Sequence, residues 1–210
     1  MKPLADCQLY TFVDTAYLNN RSPADIAEAL CLGGSDIIQL RAKSASVAEI
    51  RNLAYLMAPI LEKHSVHFVV NDHPEIAREV GAICHLGQED FFDAGRNHVS
   101  ELGGISVGLS THAPDQAKRA VAAAPVYIAT GPVFATATKA GAKPVTTEYI
   151  RWVADNVSLP WFAIGGIDLA NVQSVLDAGA VRICVVSAIL NASDIAGACH
   201  SFRKRLGSPA

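Results

Sequence analysis

The chain has 210 residues, half of them hydrophobic and 18% charged, with 17 Lys and Arg against 20 Asp and Glu for a net charge of −3. With a mean hydropathy of +0.25 it can bury enough apolar surface to offset its ordering entropy, which excludes disorder as the main state. The absence of a basic run excludes a nucleic-acid footprint, and the longest near-apolar stretch, Val181 to Leu190, is short for a membrane span and contains Arg182.

In chain order, short β-branched runs alternate with helical patterns. The strand candidates are Leu9–Asp14, Asp36–Lys43, His67–Asp72, Ala82–Gly87, Ser106–Thr111, Val126–Gly131, Trp161–Gly166 and Val181–Ser187. They are continuously apolar, which suits parallel strands buried on both faces. Ser22-Pro23 opens the first helix and Gly33-Gly34 closes it; Ser46 caps the longest, which runs to about His64. Further helices follow Asp72-His73-Pro74, ending at Gly81, and Ala113-Pro114-Asp115, and the last three are capped at Thr146/Thr147, Asp168 and Ser193. A helix over Phe91–Leu102 has Gly95 and two aromatics inside it.

About eight β-α units without a linker predict a single α/β domain over residues 1–210, a (β/α)8 TIM barrel, with a doubly wound open sheet as the alternative. The start lacks a signal peptide's apolar core, and the five scattered cysteines read as reduced, buried thiols, so a cytoplasmic protein is expected. A homodimer is left open.

Polar residues cluster where the strands end. In a barrel these ends share the face that carries active sites. Gln39, Arg41 and Lys43 alternate and therefore point one way. Their two cations call either for an internal salt bridge to Asp72 or Asp90 or for an anionic ligand. Asp72 and Asp90 end neighbouring strands, about 4.8 Å apart in a parallel sheet, so both carboxylates can reach one divalent ion. The plainer role for each is a helix N-cap, before Pro74 and Phe91 respectively. The loop Gly131–Lys139 carries Thr136, Thr138 and Lys139, a cation able to close over a leaving phosphate. Ile164-Gly165-Gly166-Ile167 and Val185-Val186-Ser187-Ala188 follow strands seven and eight, the common barrel phosphate site. His85 and His112 are candidate acid–base groups.

The ordered set Gln39-Leu40-Arg41-Ala42-Lys43, Val70-Asn71-Asp72, His85 to Asp90, Gly108-Leu109-Ser110-Thr111-His112, Gly131-Pro132-Val133-Phe134 with Thr136-Ala137-Thr138-Lys139, Ala163 to Ile167 and Val186-Ser187-Ala188-Ile189 resembles the thiamine-phosphate synthase family. The resemblance implies small-molecule substrates and a transferase that joins 4-amino-5-hydroxymethyl-2-methylpyrimidine diphosphate to thiazole phosphate, giving thiamine phosphate and diphosphate. It implies Mg²⁺ on Asp72 and Asp90, and diphosphate on Arg41, Lys43, Asn71 and Lys139. Gln39 and Ser110 would lie near the pyrimidine, with Arg41, Lys43, Lys139 and Ser110 as the catalytic set. The thiazole phosphate would sit on Thr136, Thr138, Gly166 and the Val186-Ser187 turn. Thiazole tautomerases look similar and would use His112 for proton transfer; a non-catalytic thiamine-phosphate-binding barrel is the third reading. The family's usual Gly-Leu-Glu is missing from Ala140–Thr147, and Phe91-Phe92 is atypical.

Overall fold

The computed structural model describes residues 1–136 and 143–207. Eight parallel strands close into a barrel in sequence order: β1 (Leu9–Asp14), β2 (Ile37–Arg41), β3 (His67–Asn71), β4 (Ile83–Leu86), β5 (Val107–Thr111), β6 (Tyr127–Thr130), β7 (Trp161–Ile164) and β8 (Ile183–Cys184). Closure by the β1–β8 pairing rules out the open sheet. The ladder register sets Asp14 beside Arg41, Asn71 beside His85 and Ser110 beside Ala129.

The first two connecting helices start where local chemistry says they should. Helix α1 (Pro23–Leu32) is capped by the Ser22 hydroxyl, which accepts from the Ala24 N–H, with Pro at its first position. Helix α2 (Val47–Lys63) carries a full capping box between Ser46 and Glu49. Then come α3 (Pro74–Glu79), α4 (Pro114–Ala122), α5 (Thr146–Asn156), α6 (Val172–Leu176), α7 (Ser187–Leu190) and α8 (Ile195–Leu206). The cap of α8 is Asp194 rather than Ser193, its carboxylate accepting from the Gly197 N–H. Helix α5 follows Val145 with no side-chain cap, so Thr146 and Thr147 lie inside it, and Asp168 caps the turn that leads into α6 rather than α6 itself.

Several expectations are corrected. Phe91–Leu102 is not one helix: it divides into a π-helical turn over Glu89–Asp93 and a 3-10 turn over Val99–Leu102, because Gly95 takes a left-handed φ of +84° between them. Strand eight is two residues long, since Val186 leaves the ladder (φ −113°, ψ −88°) to start α7. Neither aspartate is an N-cap. His73 occupies that position before α3, and Gln88 precedes the π-turn, which places Asp90 inside it.

The barrel interior is aromatic. Tyr10, Tyr127 and Phe162 pack edge to face with centroids 5.5–5.8 Å apart, and Phe12 stacks on Tyr10. Tyr127 lies over Gly108, its ladder partner on the neighbouring strand β5, where an added Cβ would meet its ring at 2.1 Å. Gly108→Ala therefore forces Tyr127 aside. Overpacking of this kind costs about 1–3 kcal/mol, and thermal unfolding is expected to show a midpoint lowered by roughly 3–10 °C. An unchanged midpoint would mean that the ring yields without cost.

Candidate functional site

The C-terminal mouth of the barrel opens into a cavity of about 630 Å³. Its walls include Gln39, Arg41, Lys43, Asn71, Asp72, Asp90 and Ser110, contributed by β2, β3, the β4 turn and β5. A second lobe adjoins it, lined by Gly131, Thr136, Gly165, Gly166, Ile167 and Ser187, and the two lobes share Ser110, His112, Ala129, Ile164, Cys184 and Val186. Every site residue expected from sequence and lying within the described residues thus lines one or both lobes. Thr138 and Lys139 lie outside the described residues.

The polar wall is organised by ion pairs. Arg41 Nη1 donates to Asp14 Oδ2 at 2.6 Å, and Asp14 is 1% exposed, with its other oxygen accepting from the Ala16 N–H. Arg41 therefore pairs with neither Asp72 nor Asp90. Asp14 was readable as the polar end of an apolar strand, but its partnership depends on the β1–β2 register. Lys43 Nζ donates to Asp72 Oδ2 at 2.5 Å, as the salt-bridge alternative for this lysine predicts; the lysine side chain remains 54% exposed.

Asp90 folds back over the end of β4: its Oδ2 occupies the space that a Cβ on Gly87 would need, 2.9 Å away. Arg119 lines the same cavity as another cation. Its guanidinium lies 3.9 Å over the Phe92 ring and donates to Gln88 Oε1 at 2.9 Å, while Gln88 Nε2 donates to the Ser110 carbonyl at 2.6 Å. Sequence reading gave Arg119 no role, because nothing local in an amphipathic helix distinguishes it from a solvated arginine. The Phe92 that carries it was visible only as a departure from the family pattern.

The floor is a buried polar chain. Gln39 Nε2 meets the Tyr10 hydroxyl at 2.5 Å, Tyr10 and Tyr127 hydroxyls meet at 2.9 Å, and His85 bridges Tyr127 (Nδ1, 2.9 Å) to Ser110 Oγ (Nε2, 2.9 Å). Burial pushes both tyrosine phenols well above their usual pKa, so they stay protonated. Burial also pushes up the Cys184 thiol at the cavity base, which leaves it a packing group rather than a nucleophile. His112 directs Nδ1 at the Gly131 carbonyl, and its backbone N–H donates to Gln116 Oε1 at 2.8 Å.

In the second lobe Gly166 takes a left-handed φ of +64° and packs under the Phe134-Ala135 backbone. Thr136, Gly166, Ile167 and Ser187 also line a shallow recess that continues outward past Asp168. Among the described residues, no cluster of three or more His, Cys, Asp or Glu forms a self-sufficient metal cage. Asp72 and Asp90 supply two hard oxygen donors. That is the set Mg²⁺ accepts when phosphate oxygens and water complete its shell.

The family described as Thiamine monophosphate synthase matches residues 9–189. A thiamine-phosphate synthase of Halalkalibacterium halodurans is 39% identical over 201 residues, covering 95% of each chain, and one of Thermus thermophilus is 42% identical over 185 residues, covering 87% of this chain and 88% of its own. The solved thiamine phosphate pyrophosphorylase of Pyrococcus furiosus superposes with a TM-score of 0.86 over 98% of both chains at 26% identity. A match of the family over residues 9–189, with relatives 39–42% identical over most of both chains, makes this chain a member of the thiamine monophosphate synthase family.

Proposed function

We propose that this chain is a thiamine-phosphate synthase, a transferase joining 4-amino-5-hydroxymethyl-2-methylpyrimidine diphosphate to thiazole phosphate. The observation that supports it best is the convergence of Arg41, Lys43, Asn71, Asp72 and Asp90 on one cavity wall. Such a wall suits a diphosphate that arrives with a divalent cation, because the acidic and basic groups then each have an opposite charge to meet.

In this reading the C–O bond at the pyrimidine methylene breaks with both electrons leaving on diphosphate, and the thiazole nitrogen captures the resulting cation. Arg41 and Lys43 face the negative charge that builds on the leaving group. Arg41 is already held by Asp14, so it needs little reorganisation as that charge develops. Lys43 exchanges its Asp72 contact for a phosphate oxygen. Asn71 donates to the diphosphate from the end of β3. Asp72 and Asp90 would hold Mg²⁺, which when bound neutralises part of the diphosphate charge. Gln39 and Ser110 orient the pyrimidine, while Ala129, Ile164 and Val186 supply apolar walls. Thr136, Gly166 and Ser187 receive the thiazole phosphate, and positioning the two reactants supplies much of the remaining acceleration. By family resemblance Thr138 and Lys139 act with these groups.

No protein nucleophile is required, and the only cysteine on the cavity, Cys184, has its thiol pushed up by burial. All five cysteines are unpaired and buried, which supports a reducing, cytoplasmic setting. No helix among the described residues is long and apolar enough to cross a membrane.

Incubating the purified protein with both substrates tests the assignment. Thiamine phosphate and diphosphate are expected in equal amounts with Mg²⁺ present and are expected to disappear on chelation. Magnesium-independent proton exchange on a thiazole phosphate, lost in His112→Ala, would instead establish the tautomerase reading. Saturable binding of thiamine phosphate with no diphosphate release would establish the non-catalytic one.

A further inference from the structure

The turn that carries Ser187 is weakly tied to the sheet. Strand β8 is two residues long, and its last tie is the Val185 N–H, which donates to the Tyr10 carbonyl at 2.9 Å. The chain then enters α7, a single helical turn. There the Val186 carbonyl accepts from the Leu190 N–H and the Ser187 carbonyl from the Asn191 N–H, each at 2.9 Å. So short a helix ends on carbonyls that have no partner inside it. Arg21, in the loop between β1 and α1, supplies partners. Its Nη1 donates to the Ala192 carbonyl at 3.1 Å and its Nη2 to the Leu190 carbonyl. The same guanidinium is fixed on its own loop, where Nε donates to the Leu18 carbonyl at 3.1 Å and Nη2 to the Tyr17 carbonyl at 3.2 Å. Four of the five N–H groups of a rigid planar fork are thus engaged by backbone carbonyls.

The loop that carries Arg21 is itself anchored. Asp14 opens it, accepting from the Ala16 N–H with one carboxylate oxygen and from Arg41 with the other. Asn19 and Asn20 take left-handed φ values of +50° and +63°, and the Arg21 N–H donates back to the Leu18 carbonyl at 2.9 Å. Two such residues in succession persist only where the surroundings fix them. We infer that Arg21 is a positioning residue that sets the Val186-Ser187 turn for the phosphate of the acceptor substrate, and so governs the preference for a phosphorylated thiazole. The inference rests on the proposed binding of thiazole phosphate at Thr136, Gly166 and Ser187. Arg21 lines neither lobe of the cavity nor the recess past Asp168. It acts through the Leu190 carbonyl, one helical turn behind Ser187. The buried Ile189 and Leu190 side chains press the turn against the core, but apolar packing is non-directional and leaves its rotation to the guanidinium.

The test compares two acceptors on the full chain, with saturating pyrimidine diphosphate and Mg²⁺: thiazole phosphate and the same thiazole with a free hydroxyl. The unmodified protein is expected to prefer the phosphorylated acceptor in kcat/KM. Arg21→Lys keeps the charge but cannot span four carbonyls. It is expected to lower kcat/KM for thiazole phosphate by about 10- to 100-fold, mostly through KM, the scale of a small misplacement. The value for the free alcohol should stay within about 3-fold, because the displaced groups then have no phosphate to meet. Arg78→Lys is the control. Arg78 also donates to a carbonyl at the end of a short turn, that of Leu102 at 2.6 Å, away from the cavity, and its replacement should leave the preference intact. An Arg21→Lys protein that folds and keeps the preference, or that loses both acceptors equally, would overturn the inference. Should that variant not fold, the unmodified protein decides. The Arg21 Nε–H is expected to exchange with solvent at least about tenfold more slowly than that of the exposed Arg205, and equal rates would refute the brace. An unmodified protein that couples both acceptors equally well would also refute it, whereas one that forms no thiamine phosphate at all would overturn the synthase reading itself.

Discussion

Asp90→Ala is expected to lower kcat/KM for coupling by about 10²–10³-fold, the scale on which a group stabilising developing charge usually acts, without changing the fold. Asp90 is exposed in a surface turn, and its contact to Arg96 runs through the backbone carbonyl, which alanine retains. Stability should therefore shift by no more than about 0.5 kcal/mol. The loss should shrink as Mg²⁺ is raised, because Asp72 and the diphosphate oxygens still offer hard ligands. Steady-state rates across a magnesium series, with thermal unfolding of the same preparation, check both parts. Turnover equal to that of the unmodified protein at limiting magnesium would remove Asp90 from the metal site.

Arg41→Ala should damage both stability and activity, whereas Lys43→Ala should damage activity alone. Deleting Arg41 strands the Asp14 carboxylate, almost wholly buried, without its cation. Removing one partner of such a pair costs roughly 3–5 kcal/mol. The Lys43–Asp72 pair sits at the open mouth with its lysine half exposed, and exposed pairs contribute about 0–1 kcal/mol. Both variants should bind the pyrimidine diphosphate more weakly. Chemical denaturation of the two, side by side with their diphosphate affinities, separates the roles. Equal stability losses would show that Asp14 does not depend on Arg41.

The strand pattern was legible because parallel barrel strands are buried on both faces; β1 coincides with the expected Leu9–Asp14. The polar residues at the strand ends were legible for the complementary reason: charge at the close of an apolar run needs a partner or a ligand. Asp14 was not legible as part of the site, since only its register with Arg41 shows what it does. Tyr10 and Tyr127 were also hidden. Each reads as an ordinary aromatic in an apolar strand, and their hydroxyls meet only because the barrel closes and Gly108 leaves room. Strand eight was overextended because Val185 and Val186 suit a strand by propensity, while the turn into α7 depends on tertiary packing.

The stack of Arg119 on Phe92, with Gln88 held between Arg119 and the Ser110 carbonyl, has a consequence for inheritance. The three side chains depend on one another. A relative without an aromatic ring at position 92 gives its residue at 119 no face to lie on, and an isolated change at 88 strips the arginine of its acceptor. These positions should be exchanged together among descendants, as a single unit that can be replaced whole but is seldom edited one letter at a time.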